Sequence, residues 1–133
     1  RANTVLHFAP IVAEKDPNYT PAELNAHIAE ATAIRALAYW YLIRAYKDVP
    51  FVTEPSIDDT QDFVVPAEKF EVILQQLIED LEPIAYTLLT AQNGMVTLPQ
   101  ITVLYLLFKM TVFDAFHHLN ANALWASQII IQI

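Results

Sequence analysis

Between Phe70 and Leu81 the apolar residues fall at Phe70, Ile73, Leu74, Leu77, Ile78 and Leu81, the i, i+3, i+4, i+7 spacing of a helix with one buried face. Glu71, Gln75, Gln76, Glu79 and Asp80 fill the other face, so the pattern predicts an amphipathic helix within about 67–90. Pro83 removes a helical hydrogen bond and is expected to kink or end it. A second start signal stands at "TPAE". Thr20 can cap, Pro21 suits the first helical position and Glu23 can close a capping box. A helix is expected from there to about Lys47, stopped by Pro50, which biases Val49 away from helical geometry.

The remaining segments are read from their breakers. "RANTVLHFAPIVAEKD" predicts one or two helical turns broken at Pro10, followed by a loop through "DPNY". "VPFVTEPSIDDTQDFVVP" is acidic and proline-rich, which predicts an extended connector. "TAQNG" is a turn with Gly94 at the left-handed position. A third long helix is expected over about 99–118, apolar nearly all round and therefore central, and a fourth over 122–133. The class is all-α, with helical hairpins of tetratricopeptide-repeat-like type and extended connectors, although the tetratricopeptide consensus itself is not matched. A helix as apolar as Ile101–Phe116 needs neighbours on all sides, so apolar surface is expected to stay uncovered on this chain alone.

Composition narrows the function classes. With 133 residues the chain is one domain in size, and one glycine against eight prolines disfavours strand-rich folds. A net charge of −8 without a basic cluster argues against nucleic acid and anionic membranes. No cysteine means no disulfide, thiol catalysis or Cys-ligated zinc. "ITVLYLLFKMTVF", interrupted by Lys109, is shorter than the roughly 20 residues a bilayer span needs. The chain opens at Arg1 without a signal peptide, so a removed targeting segment is expected.

The stretch "RALAYWYLIRAYKDVPF" crowds aromatic rings and two arginines ahead of a proline. In full, "AEATAIRALAYWYLIRAYKDVPFVTEP" resembles the SusD/RagB family of outer-membrane nutrient-binding lipoproteins of Bacteroidetes. The resemblance rests on Ala29, Glu30, Ala31, Arg35, Ala36, Tyr39, Leu42, Arg44, Tyr46, Asp48, Val49 and Pro50. "FEVILQQLIEDLEPI" and "GMVTLPQITVLYLLFKM" are similar to two later family segments, with departures at Met95, Leu98 and Phe108. The resemblance covers roughly 20–130 and implies a piece of the helical-repeat half of a larger SusD-like protein. It implies surface capture of oligosaccharide or peptide on a TonB-dependent, SusC-like transporter, by a lipid-anchored, non-catalytic protein. The ligand would contact parts of the protein outside this chain. The alternative is an unrelated α-helical repeat scaffold for protein–protein interaction.

The site candidates are weighed against structural roles. At ~100° per residue Tyr39 and Tyr41 lie about 160° apart, so the rings of Tyr39, Trp40, Tyr41 and Tyr46 suit a buried helix better than a flat sugar platform. Trp40 or Leu42 is expected to touch the Phe70–Leu81 face. Arg35 and Arg44 face opposite sides, and at least one needs a carboxylate, Asp48 being the local candidate. Glu30, Arg35, Arg44, Asp48 and Pro50 are therefore assigned structural roles. Asp114 and His118 are i, i+4, but two ligands are too few for a metal site, and "DDTQD" fails the calcium-loop spacing. With no nucleophile elbow, phosphate loop or zinc-protease motif, no enzyme activity, cofactor or metal is expected.

Overall fold

The computed structural model describes residues 1–58, 64–90 and 105–118. The fold is all-α. Helices α1 (Ala2–Lys15), α2 (Pro21–Tyr46) and α3 (Phe70–Thr90) follow one another, and residues 105–118 form a further helix, α4. The beginning of the expected 99–118 helix, the turn at Gly94, the expected helix 122–133 and most of "DDTQD" lie outside the described residues.

The capping box at Thr20 is formed as its spacing predicts. The Glu23 N–H donates to the Thr20 hydroxyl at 3.2 Å, and the Thr20 N–H donates to Glu23 Oε2 at 2.9 Å. Two of the donors that a helix start leaves unpaired are thus satisfied. Bonds from the Thr20 backbone and then its hydroxyl, with a smaller contribution from His27, hold the Glu23 carboxyl below its ordinary value of 4.5.

The proline in α1 acts differently from expectation. Helix α1 is continuous through Pro10, so the predicted break is not formed. The proline removes one bond, but α1 lies along α2 and Ala9 is buried, so tertiary packing outweighs that loss. Helix α3 runs through Pro83 to Thr90, within the expected 67–90, so of the two expected effects the proline does not end the helix. Leu81 and Ala85, on either side of it, are both buried in the one core, which holds the two halves together.

That core is organised by α3. Ile73, Leu74, Leu77 and Leu81 have no exposed surface. Helix α2 contributes Ala33, Ala36, Trp40 and Ile43, and α4 contributes Leu106 and Met110. The alanines let the α2 backbone come close to α3, while Trp40 meets Phe113 of α4 edge-on at 5.1 Å. Trp40 therefore joins the α3 core as expected, whereas Leu42 is 40% exposed and does not. The C-terminal half of α2 is not enclosed on all sides: Tyr39 is half-buried, and Tyr41 and Tyr46 are exposed.

The connector after α2 is pinned, not free. Strands β1 (Val49–Pro50) and β2 (Ala67–Glu68) pair antiparallel, Val49 opposite Glu68 and Pro50 opposite Ala67, closing the base of the loop between them. The Tyr39 hydroxyl accepts from Val52 N–H at 2.7 Å and donates to the Val52 carbonyl at 3.1 Å. Asn3 of α1 donates to the same carbonyl at 2.9 Å and to that of Glu54 at 3.3 Å. One carbonyl with two lone pairs thereby ties α1, α2 and the connector together.

Replacing Leu77 by Ala should therefore destabilise the protein by about 2–5 kcal/mol, and Leu42→Ala by less than about 1 kcal/mol, both read by urea denaturation. For Glu23 the depressed carboxyl sets the sign. Its contribution is present above the ordinary carboxyl range and is lost as pH falls through the lowered value. The wild type should exceed Glu23→Gln in stability near neutrality, and the two should converge only as pH falls through the lowered carboxyl value. A gap that persists in acid would mean the cap does not depend on charge.

Candidate functional site

The residues assigned structural roles are spread over two ends of the α2–α3 contact. On its inner side, Arg35 Nη2 donates to Asp80 Oδ2 at 2.7 Å, with only 14% and 21% of the two side chains exposed. Asp80 Oδ1 accepts from the Gln76 amide at 3.0 Å, so both carboxylate oxygens are engaged. Arg35 Nε is buried without a hydrogen-bond partner among the described residues. The expected carboxylate for a protein-facing arginine is thus present, supplied by α3.

The expected Arg44–Asp48 pair is not formed. Arg44 lies over the Trp40 ring, its guanidinium carbon 5.4 Å from the ring centroid. Asp48 instead accepts the Phe70 N–H at 3.1 Å, at the start of α3. The reason is geometric: the chain leaves the helix at Lys47, whose φ of 61° and ψ of −103° turn Asp48 off the helical path. An i, i+4 spacing counts only while the helix continues. At its new position the carboxylate meets an otherwise unpaired helix-start donor and the positive end of the α3 dipole. Pro50, in β1, and Glu30, on α2, are both exposed.

A shallow groove of about 400 Å³ runs between α3 and the end of α4, lined by Glu71, Val72, Gln75, Gln76, Glu79, Asp114 and His118. The Gln75 amide donates to Glu79 at 2.9 Å, and His118 Nε2 lies 3.4 Å from Asp114 Oδ1, the i, i+4 contact the sequence allows. His117 packs edge-on against Phe70 at 4.8 Å, its ring 6.2 Å from that of His118. No group of three or more His, Asp or Glu able to hold a metal occurs among the described residues. None of their helices is long and apolar enough to cross a membrane.

The outer faces are rich in uncovered apolar side chains. On α4, Tyr105, Phe108, Val112 and Phe116 are exposed, opposite the buried Leu106 and Met110, with Lys109 5.3 Å from the Tyr105 ring centroid. Phe108, one of the departures from the family pattern, is among them, while Met95 and Leu98 lie outside the described residues. On α2 the corresponding residues are Ile34, Tyr41, Leu42 and Tyr46. Sequence reasoning placed these aromatics in the core because it had no measure of which flanks neighbouring helices would leave open.

No protein-family model matches the chain. No curated protein sequence matches it. Among solved structures, surface glycan-binding protein A from Bacteroides uniformis is similar, with a TM-score of 0.66 and 18% sequence identity. The match covers 98% of this chain and 28% of that one, so the chain spans little more than a quarter of the length of its structural neighbour. The likeness is one of fold.

The Arg35–Asp80 contact yields a measurable consequence. Removing either partner leaves a largely buried charge unpaired, so Arg35→Ala and Asp80→Ala should each cost about 1–3 kcal/mol. A double-mutant cycle should show the double variant losing less than the sum of the two. Strict additivity would mean that the pair is not coupled.

Proposed function

We propose that this chain is the helical part of a larger SusD/RagB-like surface protein that captures an oligosaccharide or peptide and hands it to a TonB-dependent transporter. The observation that carries this reading is the fold likeness to a surface glycan-binding protein over nearly the whole chain. The motif from Ala29 to Pro50 supports it independently, because the structure gives its residues connected tasks. Arg35 joins α2 to α3, Tyr39 holds the connector, and Asp48 caps the next helix. A pattern of a dozen positions that encodes one helix, its exit and the following helix start is a framework for positioning loops.

In this reading the protein acts without catalysis, is lipid-anchored at the outer-membrane surface, and needs no cofactor. Binding the nutrient requires segments outside this chain. The exposed apolar faces of α2 and α4 are consistent with a helical array that receives further layers, since a stacked repeat buries its outer face only against a neighbour.

Calorimetry on the full-length protein against a panel of oligosaccharides and peptides tests the reading. Saturable binding of one ligand class, with the ligand recovered unchanged, is expected. Turnover of the ligand that a single point mutation abolishes, or no binding to either class, would overturn it.

A further inference from the structure

We draw no further inference here: the strongest candidate, the shallow groove between α3 and the end of α4 lined by Glu71, Glu79, Asp114 and His118, is an acidic cluster whose polar groups partner one another along their own helices, and no second feature among the described residues points to what it would bind.

Discussion

The packing of one helix stripe carries the rest of the structure. Ile73, Leu74, Leu77 and Leu81 are completely removed from solvent, and each such side chain contributes on the order of 1.5–3 kcal/mol by burial. Against a total stability of about 5–15 kcal/mol for a typical domain, these contacts decide whether the helices associate at all. Helix α2 meets the stripe with alanines, and α4 closes it with Leu106 and Met110. The loss of a hydrogen bond at Pro83 is small beside the burial of Leu81 and Ala85, so the helix runs on.

Polar interactions then set register on a core that would tolerate sliding. Arg35–Asp80 fixes α2 against α3, because an apolar stripe alone distinguishes poorly between neighbouring registers. Asp48 ties the end of α2 to the start of α3, so the long connector returns to a defined point. The Val52 carbonyl, shared by Asn3 and Tyr39, holds the first part of that connector. Each contact joins residues distant in sequence, and together they leave the outward face of α2 without a task inside the described structure.

The local grammar of the chain was readable in advance. The period of Phe70–Leu81 marked both the helix and its buried face, and Thr20, Pro21 and Glu23 marked the start of α2 to the residue. The position of Trp40 in the core also followed from the pattern. These features depend on neighbours within one helical turn, where spacing and geometry are the same thing. The candidate site was less legible. Arg35 was expected to need a carboxylate, but nothing near it in sequence pointed to Asp80.

The sequence by itself thus determined the helix class, the helix start at Thr20 and the face of α3 that is buried. Tertiary structure alone decided that Pro10 stays within a helix, that Asp48 caps α3 instead of pairing with Arg44, and that Leu42, Tyr41 and Tyr46 face outward. The physical reason is that a helical pattern specifies directions around one axis but not which directions a neighbour will occupy. A positive φ at Lys47 redirects the chain, and a distant helix covers one flank of α2 while leaving the other bare.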